Sequence, residues 1–170
     1  MRIAITKGRM DDLITIERAD KSRAETRFPK KGMVPHDAVH FYVERDLGLS
    51  RGFWGLVAEG KHPEAIAEMA KQAGHASASR ARVPDADIVE LLQAERLVEC
   101  FEAELWSAGT GGDTGAFLAV AQTACDYSYV PLPGITADLV TRARDSLERF
   151  SANWLASPLG HVVEFIWEEG

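Results

Sequence analysis

Apolar and polar residues alternate near both ends of this chain, whereas apolar residues recur every third or fourth position through its long middle part. Alternation predicts β-strands, because successive side chains of a strand point to opposite faces, and the longer spacing predicts amphipathic helices. Residues 2–28 are typical of a meander of two or three strands, and 161–167 of a final strand. The predicted fold is therefore α+β: a small antiparallel sheet, made of the N-terminal hairpin and the C-terminal strand, packed on one side with about five or six helices.

The boundaries of several predicted helices carry residues that favour those positions. Pro63 suits a first turn, Gly74 the residue after a helix, and Thr136 an N-cap. The strongest periodicity lies between residues 91 and 105, and its acidic residues are predicted to cover the outside of that helix. They are Glu90, Glu95, Glu99, Glu102 and Glu104.

Length and composition favour one domain spanning residues 1–170, since 46% hydrophobic residues suffice for an ordinary core. The net charge of −7 argues against a general nucleic-acid binder. Residues 1–31 nevertheless carry nine basic and five acidic side chains, a local charge of +4. A solvated sheet face is the favoured interpretation of this excess, and a site for an anion or for the acidic face of a partner is the alternative.

Two cysteines are too few for a disulfide framework, and both Cys100 and Cys125 lie in helical apolar patterns. We expect buried, reduced thiols; a disulfide or a thiolate ligand is the less favoured interpretation. The first residues lack the apolar region of a signal peptide, and no run of about 18 apolar residues occurs. These features predict a cytoplasmic protein without a membrane span.

Residues 36–44 read HDxxHxxxE and are the strongest chemical signal in the chain. Residues four apart share one face of a helix, so His36, His40 and Glu44 would form a column of two imidazoles and a carboxylate. Such a set suits zinc or another divalent transition metal. Asp37 would act as general base, as a ligand, or as a hydrogen-bond partner of a ligating histidine. Candidate third ligands besides Glu44 are Glu59, His62 and His161.

Structural interpretations compete with these functional ones. Pro35, His36 and Asp37 also make an ordinary helix start, and His40 could be a partly buried histidine bonded to a neighbour. Residues 51–55, RGFWG, are predicted to anchor a tight turn in the core in preference to forming a ligand wall. The glycine-rich residues 109–115 lack the lysine of a phosphate loop and are predicted to be a connector.

The segment PHDAVHFYVE, followed by LGLSRGFWG, resembles a signature shared by small uncharacterised bacterial proteins. HDxxH is also remotely similar to the zinc motif of a ubiquinone-biosynthesis accessory family. That resemblance implies metal-site positions for His36, Asp37 and His40. Gly52 stands where the pattern of that family continues to a glutamate, so Glu44 or Glu59 would have to substitute. The resemblance covers about 20 residues, and no role in quinone synthesis is inferred from it.

Two hypotheses follow for function. The first is a metal-binding protein in which His36, His40 and Glu44 are the ligands. In its enzymatic form it would be a metal-dependent hydrolase-like enzyme that acts on an unknown small molecule, with Asp37 as the catalytic residue. The second is a non-catalytic interaction module that binds a protein or forms a homodimer. Histidines that open into a cleft would favour the first hypothesis, and histidines packed under the sheet would favour the second.

Overall fold

The computed structural model describes residues 1–74, 82–107 and 112–168. The described strands are β1 (Arg2–Thr6), β2 (Asp11–Glu17), β3 (Arg23–Pro29) and β4 (Val162–Ile166). The described α-helices are α1 (His36–Leu47), α2 (Phe53–Ala58), α3 (Pro63–Gln72), α4 (Val89–Trp106), α5 (Thr114–Tyr127) and α6 (Ala137–Ala156). A 3₁₀ turn, Ala86–Ile88, precedes α4. The predicted α+β class is confirmed.

The four strands form one antiparallel sheet in the order β3-β2-β1-β4, so the strands nearest the two ends of the chain, β1 and β4, pair with each other, and β4 is an edge strand. Ile3 pairs with Ile16 on β2 and with Phe165 on β4, and all three side chains are buried. This alternate set lies on one face because side chains of a strand alternate between faces. The pairing of β4 with β1 confirms the predicted return of the C-terminus to the sheet.

Helix α1 lies centrally among the helices, in contact with α2, α4 and α6. Its side chains join a core in which Trp54, Phe101 and Trp154 are almost completely buried. Gly48 ends α1 at φ +75°, a left-handed conformation that glycine adopts without steric cost. The chain therefore turns sharply at this point, and α2 begins close to the face of α1 that carries the histidines.

Two basic side chains of the N-terminal region bind helix ends. Lys7 Nζ donates hydrogen bonds of 2.7 Å to the carbonyl oxygens of Trp154 and Ser157 at the end of α6. Arg18 Nε donates to Val57 O at 2.6 Å, near the end of α2. These carbonyls lie at helix ends, where the regular hydrogen bond from the residue four positions later is missing, and they carry partial negative charge. The prediction of a solvated basic face is wrong for these two residues.

Several predicted boundaries are confirmed. Pro63 lies in the first turn of α3, and Thr136 Oγ1 accepts a hydrogen bond from Leu139 N at the start of α6. Residues 75–81 of the predicted polar loop and 109–111 of the glycine-rich connector lie outside the described residues. Within the described ranges, no helix combines the length and apolar character that a bilayer crossing requires.

Candidate metal centre

One face of α1 carries the predicted column. The ring centroids of His36 and His40 are 4.8 Å apart, with the ring planes at 79°. His40 is only 1% exposed, and the side chain of His36 is 14% exposed. The spacing of four residues therefore places both imidazoles on the same side of the helix, as predicted.

Helix α4 faces these histidines with two carboxylates. Glu95 is 7% exposed and Glu102 is 6% exposed. The prediction that both cover the outside of α4 is wrong, because α4 packs between α1 and α5 and buries more than one of its faces. Glu95 and Glu102 are seven residues apart, hence two turns apart on the same face, which is the only sequence signal that pairs them.

The imidazoles converge on one carboxylate oxygen. Nε2 of His36 lies 3.8 Å from Glu95 Oε2, and Nε2 of His40 lies 3.5 Å from the same atom. One ligand atom from each of the three residues falls within 4.8 Å of the others. Metal–ligand bonds of about 2.0–2.1 Å at tetrahedral angles separate ligand atoms by roughly 3.4 Å. His36, His40 and Glu95 are therefore close to the spacing that three zinc ligands need.

The opposite ring nitrogens are held by further carboxylates. His36 Nδ1 donates to Glu102 Oε1 at 2.9 Å, and His40 Nδ1 donates to Glu44 Oε1 at 2.9 Å. Metal-binding histidines usually donate their second N–H to such an acceptor, which fixes the ring and its tautomer. Both rings thus have one nitrogen anchored and direct the other towards Glu95.

Glu44, the predicted third ligand, contacts Nδ1 of His40 and the first residues of α2. Its Oε1 accepts from Phe53 N and its Oε2 from Trp54 N, both at 2.9 Å, and the residue is fully buried. These N–H groups lie at the start of α2. A carboxylate there accepts hydrogen bonds from otherwise unpaired donors, and the helix dipole stabilises its negative charge. Glu44 orients His40 and starts α2, and the structure brings Glu95 instead into the group around the two Nε2 atoms.

Gly52 allows this arrangement. A Cβ atom at this position would lie 2.5 Å from Cδ of Glu44, closer than nonbonded carbon atoms approach. Phe53 and Trp54 are 4% and 0% exposed, so they anchor the turn in the core, as predicted for RGFWG. Gly52 therefore lets the backbone lie directly against the side chain of Glu44.

The other candidate third ligands lie elsewhere. Glu59 pairs with Arg51 at 3.1 Å on the exterior, and the ring of His62 accepts a hydrogen bond from Glu64 N at the start of α3. The ring of His161 contacts Trp154 beside β4. These three residues are not in the group formed by His36, His40 and Glu95.

Asp37 and the histidines line a cavity of about 240 Å³. Asp37 is 8% exposed, and its carbonyl oxygen accepts a 2.9 Å hydrogen bond from Trp54 Nε1, which fixes the backbone at this point. Glu95 lines the same cavity. An acid next to the candidate ligands therefore shares a small cavity with them.

Burial and mutual charge set the protonation of these groups. Burial alone would lower the pKa of His40, but the charge of Glu95 and the hydrogen bond to Glu44 raise it to about 10. The pKa of His36 is raised because hydrogen bonds to Glu102 and Glu95 outweigh its burial. Burial raises the pKa of Asp37 above that of an ordinary aspartate, against the opposing charges of the two histidines.

The cysteines are outside this centre. Both Cys100 and Cys125 are buried and free, as predicted. Burial raises the pKa of each thiol to about 11, so neither is a thiolate at neutral pH. Nucleophilic or metal-binding chemistry at these thiols has no support.

No protein-family model, curated protein or solved structure matches this chain. The resemblance of the HDxxH segment to known motifs therefore stays a prediction, and the function proposed below rests on the geometry of the site.

Proposed function

We propose that the protein binds one divalent transition-metal ion, with zinc as the leading candidate, through Nε2 of His36, Nε2 of His40 and a carboxylate oxygen of Glu95. The observation that carries this proposal is the convergence of both Nε2 atoms on one Glu95 oxygen, at 3.8 and 3.5 Å, while carboxylates hold both Nδ1 atoms. Two nitrogens and an oxygen suit zinc, and three protein ligands leave a position for water or substrate.

The cavity favours a metal-dependent hydrolase-like enzyme over a purely structural site. A divalent metal lowers the pKa of bound water towards neutrality and polarises a substrate oxygen. Asp37 lines the same cavity, and burial raises its pKa above that of an ordinary aspartate, which makes its carboxylate a stronger base. Asp37 is therefore the proposed general base, with Glu102 and Glu44 as the residues that orient the two histidines.

Metal content tests this function. The tag-free protein, the Glu95→Gln variant and the Glu104→Gln variant are incubated with zinc, desalted and measured by mass spectrometry. We expect about one zinc per chain in the wild type and in Glu104→Gln, and little in Glu95→Gln. Glu104 is a matched control because it lies on α4 but pairs with Arg144. Zinc absent from the wild type, or retained equally by Glu95→Gln, would contradict the proposal.

The interaction module remains a second candidate, favoured by the exposed side chains of β4. This strand is an edge of the sheet in the described part of the chain, and Val162 and Ile166 are 49% and 57% exposed. An unpaired edge can add a strand from another chain, including a second copy. Sedimentation equilibrium tests it: a dimer that Val162→Lys dissociates would support this candidate, and a monomer at high concentration would oppose it.

A further inference from the structure

The cavity beside the candidate ligands has two chemically different sides. His40 and Glu95 form part of its buried side, whereas Lys30 and Lys31 lie on its exposed side, in the segment that joins β3 to α1. A small molecule that enters this space therefore meets lysine side chains at the outside and the proposed metal at the inside.

The two lysines differ in their partners. Lys30 Nζ lies 3.2 Å from Asp12 Oδ1, and Asp12 is a buried residue that also accepts from Gly8 N at 2.9 Å. Lys31 has no ion pair or side-chain hydrogen bond to any residue in the described part of the chain, and its charge acts on Asp37. The ammonium group of Lys30 is thus paired with Asp12, whereas that of Lys31 is available to bind a ligand.

The remaining walls limit what can enter. Phe28, Pro29, Pro35 and Phe53 give the cavity apolar surface. Its volume of about 240 Å³ lies below the ~300–1,000 Å³ typical of pockets for drug-sized ligands. The occupant must be a compact molecule with a short carbon skeleton.

The charges that surround the cavity favour a carboxylate over a phosphate. Asp12, Asp37 and Glu95 line the same space as Lys31, the one lysine of the described lining without a partner in the protein. Phosphate, with a charge near −2, is usually held by several donors or by an arginine fork, whereas one ammonium group suffices for one carboxylate. A group with a single negative charge fits these surroundings best.

We propose that the cavity binds small organic carboxylates, with the carboxylate paired to Lys31 and the reacting group at the metal held by His36, His40 and Glu95. This inference rests on the proposed metal site and adds the substrate class to it. Lys31 acts as a specificity-determining residue, because it selects the charged end of the substrate.

The test compares succinate with succinamate, in which a neutral amide replaces one carboxylate. Binding of each to the zinc-loaded protein is measured by calorimetry for the wild type, Lys31→Gln, Lys31→Arg and the control Lys21→Gln. Lys21 carries the same charge at the opposite end of β2 and is 82% exposed. A charge-assisted hydrogen bond predicts that the wild type prefers succinate by about tenfold.

The preference should fall to about one in Lys31→Gln and persist in Lys31→Arg and Lys21→Gln. An unchanged preference in Lys31→Gln, with zinc bound normally, would overturn this inference alone. Inorganic phosphate that binds more tightly than succinate would overturn the carboxylate class. Failure of the wild type to bind zinc would overturn both the metal site and this inference, since the anchor for the reacting group would be missing.

Discussion

Two groups of charged residues lie on different sides of α4, each beside a cavity, and they differ in how many carboxylates face each basic side chain. At one, Arg144 donates two hydrogen bonds to Glu104, at 2.9 and 2.7 Å, and a third to Thr114. At the other, the two histidines face Glu44, Glu95 and Glu102. The group at Arg144 is a one-to-one ion pair, whereas the histidine cluster places three carboxylates around two imidazole rings.

The difference separates a structural ion pair from a candidate site. Arg144 is permanently protonated and offers only donors, and among the described residues the cavity of about 320 Å³ beside it has no group of three side chains spaced to hold a metal ion. Imidazole can lose its proton and then bind a metal through the same nitrogen. We therefore expect the histidine cluster to exchange protons for a metal ion, and we expect no such exchange at the pair of Arg144 and Glu104.

The largest expected effect is a difference in the loss of protein stability when one carboxylate is removed from each group. Replacing Glu44 with alanine leaves His40 and the N–H groups of Phe53 and Trp54 without their buried partner. Breaking a buried charged interaction in this way costs about 3–5 kcal/mol of unfolding free energy. Urea denaturation of the metal-free protein measures it. Glu104→Ala, in the partly exposed pair, should cost about 1 kcal/mol, and equal costs for the two variants would contradict the comparison.

The pH dependence of stability distinguishes the groups next. The folded pKa of His40 is about 10, above the unfolded value near 6.5, so the folded metal-free protein binds the extra proton. The stabilisation is fully present below about pH 6.5 and is lost as pH rises through 10. Unfolding free energy, measured in a chelator, should therefore fall between these limits. His40→Gln should flatten this dependence; a wild-type curve equally flat over the same range would count against it.

Metal affinity should depend on the residues that orient the histidines. Glu102→Ala removes the acceptor of His36 Nδ1 and should weaken zinc binding by about 10–100-fold. Competition with a chromogenic chelator measures the dissociation constant. The control Glu104→Ala, two residues along the same helix, should bind zinc like the wild type. Identical affinities for the two variants would show that the hydrogen bond at Nδ1 does not matter.

The smallest expected effect concerns the ion pair between Arg144 and Glu104. A double-mutant cycle over Arg144→Met and Glu104→Gln should give a coupling of about 1 kcal/mol in unfolding free energy, because both side chains retain some exposure. Neither substitution should change zinc affinity. A change of tenfold or more would mean that the two sides of α4 are coupled and that the comparison is too simple.

Much of the fold could be predicted from local patterns. Alternation at Ile3, Ile5, Ile14 and Ile16 predicts the buried face of the sheet, and those residues are buried there. Capping by Thr136 is equally local. Such features depend on residues close in sequence, so one chain is enough to infer them.

Only half of the candidate site could be predicted, because only half of its residues are close together in sequence. His36 and His40 are four residues apart, and the geometry of one helix brings them together. Glu95 and Glu102 lie on another helix, and only the packing of α4 against α1 brings them to the histidines. Glu44 has the correct spacing for a third ligand, but the start of α2 takes both of its oxygens, and that contact depends on the turn at Gly48 and Gly52.

The structure of the zinc-loaded protein, determined with anomalous diffraction at the zinc absorption edge, tests the central claim most directly. We expect one strong anomalous peak about 2.0–2.2 Å from Nε2 of His36, Nε2 of His40 and a Glu95 oxygen. Both Nδ1 hydrogen bonds, to Glu102 and Glu44, should remain. A peak at any other group of residues, or no peak in protein soaked with excess zinc, would contradict the assignment of this cluster as a metal centre.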